Sequence, residues 1–261
     1  MGRDSRRKAN QAMCKMSLKE TLLTGASGQL GSHIVQSGFF RNLLTPSHKE
    51  LDICRANSIS KYFQKHTVAG IIHCAAIARI KDCEKSPIEA LGTNIIGTCN
   101  LVKEILRNCP NKKIRFIHIS TDGVYAGHKG RYTEQASAIP YNRYGWTKLG
   151  AECAVNLLKN FCIIRTRFFD PFNIPFDSYA VDSYTSSIPA ADLANAIGLL
   201  FNSDFIGTIN IGGKRLSDYT RYKAFKPSIK PCRIEEIEKI IDFKISHDAS
   251  LNSHLWKTLK K

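Results

Sequence analysis

The sequence predicts an α/β fold in which a doubly wound parallel sheet is followed by a small C-terminal lobe. Short apolar segments alternate with helical segments from Glu20 to Thr166, and a glycine-rich turn joins the first strand to the first helix. An alternation of this kind places helices on both faces of a parallel sheet. After Thr166 the alternation loosens, although no linker separates the two parts.

Each element follows from its pattern of apolar residues. Strands are predicted at residues 20–24, 42–45, 70–74, 114–119, 161–165 and 208–211. Helices are predicted at residues 30–40, 58–66, 88–106, 141–158 and 189–201, with a turn-like Gly97 inside the third. The chain is thereby divided into a disordered basic tail at residues 1–17, a sheet domain at residues 18–170 and a small lobe packed on it at residues 171–261.

The charge of the chain is strongly positive, with 38 Lys and Arg against 22 Asp and Glu, a net charge of +16. The excess is divided between the N-terminal tail and the C-terminal segment, and no basic helix or aromatic-rich sheet of a nucleic-acid reader is visible. We therefore predict no nucleic-acid partner and an enzyme with anionic ligands. No apolar run approaches the about 18–20 residues of a membrane span, so no membrane association is predicted.

The nine cysteines include no C-x-x-C pair, and the chain has no H-E-x-x-H segment. We predict no metal site. Unpaired cysteines in apolar segments are typical of a reducing compartment, so a cytoplasmic protein is predicted. The tail lacks the apolar segment of a secretory signal, and a transit peptide is the alternative to a disordered extension.

The turn after the first strand carries glycines at positions 25, 28 and 31. Gly25 permits a tight turn, Gly28 lets the backbone approach a pyrophosphate, and Gly31 lets the helix pack close to the sheet. The N-terminus of the helix then offers free N–H groups to phosphates. This pattern predicts a Rossmann-type NAD(P)-binding domain at residues 18–170. The predicted contacts with the dinucleotide are Gly25, Ser27, Gly28, Gln29, Leu30 and Gly31.

The choice of dinucleotide depends on the residues after the second strand. An acidic residue there binds the adenosine ribose of NAD, whereas basic or hydroxyl residues suit the 2′-phosphate of NADP. No acid directly follows this strand, and Ser47, His48 and Lys49 are placed to meet a phosphate. NADP is the predicted cofactor, with NAD as the alternative.

A second constellation indicates the reaction. Tyr144 and Lys148 are four residues apart, which places phenol and ammonium on one helix face. The charge of Lys148 is expected to lower the phenol pKa, so that Tyr144 can exchange a proton with a carbonyl oxygen. Ser120, Thr121 and Asp122 follow a predicted strand, where parallel sheets bind ligands, and the hydroxyl of Thr121 or Ser120 can bind the same carbonyl. Asp122 is interpreted as a cap rather than a base.

Together these motifs resemble those of an extended short-chain dehydrogenase/reductase. The glycine loop, the His73-Cys74-Ala75-Ala76 segment, residues 120–125 and the Tyr144 to Lys148 pair occur in the family's order and spacing. Three stretches are similar to the dTDP-4-dehydrorhamnose reductase branch, namely residues 119–134, 140–152 and 248–252. Members of that branch reduce the 4-keto group of a nucleotide-linked 6-deoxysugar, and the branch also includes the regulatory subunit of methionine adenosyltransferase.

The resemblance implies a role for each matching residue. Thr121 matches the catalytic hydroxyl, Tyr144 the proton donor and Lys148 the lysine that binds the cofactor ribose. The further cofactor contacts that it implies are Asp52, Ile53, Cys74, Ala75, Ala76, Ser120 and Tyr144. Asn94 is expected beside them, joining its helix to the strand that ends before Thr121. The implied substrate contacts are Asp122, Val124, Tyr125, Arg167, Phe168 and Phe169.

The resemblance thus predicts an NAD(P)H-dependent oxidoreductase that reduces a nucleotide-linked 4-keto-deoxysugar, as in dTDP-rhamnose biosynthesis. A nucleotide-sugar epimerase and a non-catalytic NAD(P)-binding regulatory subunit are the alternatives. The chain departs from the branch in two places. Gly123 stands where the reductases commonly carry tyrosine, and the C-terminal substrate lobe is truncated. A small-molecule nucleotide sugar is the predicted partner, and a homodimer is possible.

Overall fold

The computed structural model describes residues 20–109 and 113–260, so the predicted disordered tail lies outside the described residues. Six strands form one parallel sheet in the order β10-β5-β4-β3-β1-β2. Its strands are β1 (Glu20–Thr24), β2 (Leu43–Leu44), β3 (Val68–His73), β4 (Arg115–Ile119), β5 (Phe161–Thr166) and β10 (Gly207–Ile211). This confirms the predicted fold class.

Helices cover both faces of the sheet. They are α1 (Gln29–Gln36), α2 (Ala56–Lys65), α3 (Ile80–Lys85), α4 (Pro87–Ala90), α5 (Thr98–Asn108), α6 (Arg143–Val155), α7 (Ala190–Phe201), α8 (Asp218–Lys223), α9 (Ile234–Glu238) and α10 (His254–Leu259). Leu30 of α1 and Ile197 of α7 belong to the apolar cluster on one face. Ile59 of α2, Leu101 of α5 and Val155 of α6 belong to the cluster on the other. The strands are buried on both sides, which explains their continuous apolar runs.

The predicted helix at residues 88–106 is confirmed as one continuous helical stretch, but its middle is a π-helix. The chain forms α4, then a π-helix at Leu91–Gly97, then α5. A Cβ at Gly97 would lie 2.8 Å from Ile53 Cδ1, so this glycine allows close packing rather than a turn. The helix predicted at residues 30–40 ends at Gln36 because Gly38, with φ +71°, leaves the helical conformation.

The C-terminal part contributes to the sheet as well as to the lobe. Strand β10 pairs with β5 and completes the sheet from beyond the predicted boundary at residue 170. The remaining strands form three two-stranded pairs: β6 (Phe168–Phe169) with β9 (Ile188–Pro189), β7 (Ser178–Ala180) with β12 (Lys230–Cys232), and β8 (Tyr184–Thr185) with β11 (Leu216–Ser217). The division into domains stays a prediction. Within the described ranges, no helix is long and apolar enough to cross a membrane.

Candidate active site

The glycine loop between β1 and α1 forms a close-packed turn. Gly25 has φ +72°, and a Cβ there would lie 2.7 Å from Ala75 N, in the segment after β3. A Cβ at Gly31 would lie 2.7 Å from Ala26 Cα and closer still to the Gly25 carbonyl oxygen. Gly28 is the N-cap of α1 and offers no side chain to cap the first N–H groups. The backbone donors of this turn therefore fit a pyrophosphate.

The segment after β2 differs in detail from the prediction. Ser47 donates from both N and Oγ to Glu50 Oε2, each at 2.8 Å. The Ser47 hydroxyl, which was predicted to meet a 2′-phosphate, is thus hydrogen-bonded to Glu50, a residue outside the predicted cofactor contacts. The S-x-x-E spacing of Ser47 and Glu50 is the signal that reveals it. His48 is exposed. Asp52 Oδ2 forms an ion pair with Arg55 Nε at 3.2 Å.

Asn94, in the π-helix, fixes the segment after β3 rather than the strand before Thr121. Its Oδ1 accepts from Ile77 N at 2.8 Å, and its Nδ2 donates to Ile77 O at 3.0 Å and Thr147 Oγ1 at 2.9 Å. The predicted tie to β4 is therefore wrong. Because its amide is used by these protein partners, Asn94 acts by holding the Cys74, Ala75 and Ala76 segment against α6.

The carboxyl end of β4 and the start of α6 bring two predicted catalytic groups together. Thr121 caps a 3₁₀ turn at Asp122–Val124, accepting from Gly123 N at 3.1 Å. Tyr144 lies in the first turn of α6. Its ring and the Thr121 side chain lie on either side of Gly123, since a Cβ there would be 3.4 Å from Thr121 Oγ1 and 3.9 Å from Tyr144 Cδ1. Gly145 permits this approach, since a Cβ there would run into the Gly123 carbonyl.

The start of α6 is fixed by two side chains. Asn142 Oδ1 caps the helix by accepting from Gly145 N at 2.8 Å. Glu84 Oε1 accepts from Arg143 N at 2.9 Å. These bonds satisfy N–H groups that a helix leaves free, and they hold Tyr144 at a defined position beside β4.

Burial raises the pKa of the Tyr144 phenol above the ordinary value of 10, while the side chain of Thr121 and the charge of Arg167 oppose that shift. The expectation that Lys148 brings the pKa down is not met, because the cost of burying a phenolate outweighs the favourable charges. A protonated phenol beside a hydroxyl is suited to giving a proton to a carbonyl oxygen.

Lys148, one turn further along α6, is buried with 3% of its surface exposed. Among the described residues, no side chain accepts a hydrogen bond from its ammonium. Burial lowers its pKa to about 8, and the charge of Glu152 only partly offsets the shift. A buried donor group without an acceptor is suited to binding ribose hydroxyls.

Replacing Lys148 by methionine is expected to stabilise the ligand-free protein at pH 7 by about 2–3 kcal/mol. Burying the charged ammonium costs roughly that much free energy on folding, and methionine avoids this cost. Below pH 8 both states of wild type are protonated. Between pH 8 and the ordinary pKa of 10.5 the folded state binds fewer protons, so wild-type stability rises with pH. The gain in the variant therefore shrinks over this range. Urea unfolding at pH 7, 8 and 9 measures it, with exposed Lys159→Met as control. If Lys148→Met does not raise the free energy of unfolding at pH 7, Lys148 is not a buried ammonium with a lowered pKa.

Asp122 and Arg167 form an ion pair next to Thr121. Arg167 Nε donates to Asp122 Oδ2 at 2.8 Å, and Thr121 Oγ1 donates to Asp122 Oδ1 at 3.2 Å. The Asp122 side chain is 1% exposed, and burial raises its pKa despite the guanidinium. Thr121 is the cap, so the interpretation of Asp122 as a cap is replaced by that of a buried ion-pair partner.

Other predicted contacts lie in a buried network. Ser120 Oγ donates to Glu152 Oε1 at 2.5 Å, and Arg165 Nη2 donates to Glu152 Oε2 at 2.6 Å. Arg165 Nη1 donates to the hydroxyl of Tyr125 at 2.9 Å. Tyr125 and Val124 are fully buried. Three predicted contacts therefore lie in the interior beneath the site and are not exposed to a ligand: Ser120, Val124 and Tyr125.

An aromatic group that the sequence analysis missed lies beside the predicted substrate contacts. The ring of Phe169 packs edge-on against Tyr222 at 5.3 Å, and Tyr222 lies 4.3 Å from Tyr179. Phe168 is partly buried against the sheet. These residues come from separate parts of the lobe, so no local spacing signals their association. Within residues 20–109 and 113–260, no cluster of three or more His, Cys, Asp or Glu suits a metal ion.

The comparisons with known proteins agree with this arrangement. The family described as RmlD substrate binding domain matches residues 19–169, more than half of the chain. The chain belongs to the RmlD substrate-binding-domain family. Among its relatives, dTDP-4-keto-6-deoxy-D-glucose reductase of Streptomyces niveus is 34% identical over 137 residues, 51% of this chain and 46% of that protein. Methionine adenosyltransferase 2 subunit beta of Xenopus tropicalis is 31% identical over 148 residues, 52% and 42% of the respective chains.

The chain thus spans about half the length of the curated relatives that it matches. The structural likeness extends further. The crystal structure of dTDP-4-dehydrorhamnose reductase from Bacillus anthracis in complex with NADP has a TM-score of 0.82 and 23% identity, and covers 92% of each chain. That likeness shows a shared fold over 92% of the chain, which includes the lobe as well as the sheet.

Proposed function

We propose that this protein is an NADPH-dependent reductase of a nucleotide-linked 4-keto-6-deoxysugar. The observation that carries the proposal is the placement of Thr121 and Tyr144 around Gly123 at the carboxyl edge of the parallel sheet. The glycine turn follows β1 at the same edge, and we expect its backbone N–H groups to bind the pyrophosphate. Family membership and the reductase from Streptomyces niveus support the reaction class.

Each catalytic residue has a separate task in this proposal. A dinucleotide held by the glycine turn would supply the hydride that the keto carbon of the sugar takes up. On substrate binding, the Thr121 hydroxyl turns its single proton from Asp122 Oδ1 to the keto oxygen and orients that oxygen toward Tyr144. The Tyr144 phenol transfers its proton to that oxygen as negative charge develops there. Lys148 donates hydrogen bonds to ribose hydroxyls, and the charge of Arg167 favours the phenolate that remains.

NADP is the cofactor that the relatives favour, since the reductase from Bacillus anthracis is described in complex with NADP. Exposed His48 and Lys49 lie next to Ser47, whose hydroxyl donates to Glu50. A 2′-phosphate would have to displace the Glu50 carboxylate from Ser47, whereas the free ribose of NAD would not. NAD therefore stays the alternative.

Eight described cysteines are free thiols, which agrees with a cytoplasmic location.

A second candidate is a dinucleotide-binding regulatory subunit. It is favoured by the match to methionine adenosyltransferase 2 subunit beta and by Gly123 at a position where the reductases commonly carry tyrosine. A Cβ at Gly123 would meet Thr121 Oγ1 at 3.4 Å and Tyr144 Cδ1 at 3.9 Å, both ordinary contacts. The space for a side chain beside the catalytic pair is therefore present but unused.

The two candidates differ in turnover. The purified protein is incubated with NADPH and dTDP-4-keto-6-deoxyglucose, and the loss of NADPH absorbance is followed beside a reaction without sugar. Sugar-dependent oxidation of NADPH is the expected result. NADPH binding by calorimetry without turnover on dTDP- or UDP-linked keto sugars would favour the regulatory subunit. Absence of NADPH and NADH binding would overturn both.

A homodimer is proposed through the outer face of α4, the π-helix and α6. Large apolar side chains are exposed there, with Trp146 at 54% and Ile88 at 84% exposure, and Leu157, two residues beyond α6, is 67% exposed. A contiguous apolar surface on neighbouring helices is typical of protein interfaces.

Replacing Trp146 by glutamate is expected to convert the dimer to a monomer, because it places a charge in the apolar contact. Light scattering coupled to gel filtration measures the mass of each protein at micromolar concentration. Phe172→Glu is the control, since Phe172 is 97% exposed and lies outside this face. A monomeric wild type, or a dimer unaffected by Trp146→Glu, would refute the proposed interface.

A further inference from the structure

Arg167 lies directly after β5, at the carboxyl edge of the sheet where the catalytic residues meet. Its Nε donates to Asp122 Oδ2 at 2.8 Å. The other oxygen of the same carboxylate accepts from Thr121 Oγ1 at 3.2 Å. One buried carboxylate therefore connects the guanidinium to the hydroxyl that orients the reacting carbonyl.

The two terminal nitrogens of the Arg167 guanidinium, Nη1 and Nη2, have no hydrogen-bond acceptor among the described residues. Within the part of the chain that the structure describes, no atom accepts a hydrogen bond from Nη1 or Nη2, and 30% of the side chain is exposed. A guanidinium presents its donors as a rigid fork, and a half-buried donor without an acceptor is unfavourable. The fork thus faces a place where a ligand can supply two acceptor atoms.

The charges around Arg167 decide what kind of acceptor fits. Asp122 is nearly fully buried and already balances the guanidinium charge. A second carboxylate, Asp218, lies close enough for the two charges to influence each other, and it accepts from Thr185 Oγ1 at 2.9 Å rather than from Arg167. Arg221, Tyr141, Tyr144 and Tyr222 are the other titratable neighbours. The two acids balance the two guanidinium groups, so no excess positive charge favours a phosphate or carboxylate over a neutral oxygen.

We propose that Nη1 and Nη2 of Arg167 bind neighbouring hydroxyl oxygens of the substrate's sugar ring, beside the reacting carbonyl. The proposal rests on the proposed function and adds a specificity to it: the accepted sugar keeps its ring hydroxyls at carbons 2 and 3. Two adjacent hydroxyls match the spacing of the fork, whereas a deoxygenated carbon leaves charged donors unpaired. A site built to bind a hydroxyl rejects the analogue without it more strongly than an apolar pocket does.

The test compares two ligands with one difference. Calorimetry in the presence of NADP measures the affinity of a dTDP-linked 6-deoxyhexose and of its 3-deoxy analogue. Wild type is expected to bind the hydroxylated sugar about 10- to 100-fold more tightly, the loss of a hydrogen bond to a charged group. The kcat/KM values of the corresponding 4-keto sugars are expected to show at least the same ratio. Binding discrimination without turnover would sink the reductase proposal but not this one.

Arg167→Lys keeps a positive charge beside Asp122 and removes the fork, so the fold is preserved. It is expected to weaken binding of the hydroxylated sugar about 10-fold or more, leaving the 3-deoxy analogue and NADPH unchanged. Arg215→Lys is the matched control, because Arg215 Nε also pairs with an aspartate, Asp248, at 2.7 Å. Equal weakening of both sugars by Arg167→Lys, no discrimination by wild type, or weaker binding of dTDP alone would each overturn the proposal. The last outcome would assign Arg167 to the phosphate.

Discussion

Replacing Tyr144 by phenylalanine is expected to lower kcat by about 100- to 10,000-fold, the contribution of a positioned general acid. The phenol is protonated because burial raises its pKa above 10, so wild type holds a ready proton beside the Thr121 hydroxyl. Phenylalanine keeps the ring and removes only the donor.

The same variant is expected to bind NADPH with unchanged affinity, since the glycine turn, and not α6, is predicted to contact the pyrophosphate. Steady-state kinetics and calorimetry measure the two effects separately. Tyr219→Phe is the control, because its hydroxyl interacts with Lys223 in the lobe. A Tyr144→Phe variant with turnover within about 3-fold of wild type would show that another group supplies the proton.

Gly31→Ala is expected to destabilise the protein by about 3 kcal/mol and to weaken NADPH binding at least about 100-fold. The added methyl group would lie 2.7 Å from Ala26 Cα and against the Gly25 carbonyl. Both are backbone atoms, so relief requires α1 to move away from the turn. That movement displaces the N–H groups that are predicted to bind the pyrophosphate.

Urea unfolding and calorimetric titration with NADPH measure the two losses. Gly92→Ala is the matched control, because Gly92 is also helical and a Cβ there meets no atom within 4 Å. That substitution is expected to raise stability by about 0.5–1 kcal/mol. Tight NADPH binding by folded Gly31→Ala protein would contradict the role of the turn.

Local pattern was sufficient for the sheet but not for every helix. Strand β1 was predicted to the residue and β5 within one, because buried parallel strands are apolar runs bounded by polar residues. The π-helix was missed, since Asn94 and Gly97 owe their positions to Ile77 and Ile53, which are distant in sequence. The strand pairs of the lobe are too short to give a periodic signal.

The site residues likewise include some that local pattern predicts and some that depend on residues distant in sequence. Thr121 and Tyr144 were predicted together because strand ends and helix starts meet at one edge of such a sheet. The partner of Arg167 was not predicted, since Asp122 lies 45 residues away and neither residue belongs to a spaced motif. Burial reversed the expected direction of the Tyr144 pKa, and burial of a single side chain depends on packing that composition and spacing do not specify.

The most direct test of the account follows the hydride itself. The protein is incubated with dTDP-4-keto-6-deoxyglucose and NADPH that carries deuterium at the transferred position of the nicotinamide, and the sugar product is analysed by mass spectrometry and NMR. The account predicts one deuterium at sugar carbon 4, together with one NADP formed for each sugar reduced. An epimerised sugar without deuterium, or unchanged sugar in the presence of bound NADPH, would contradict it.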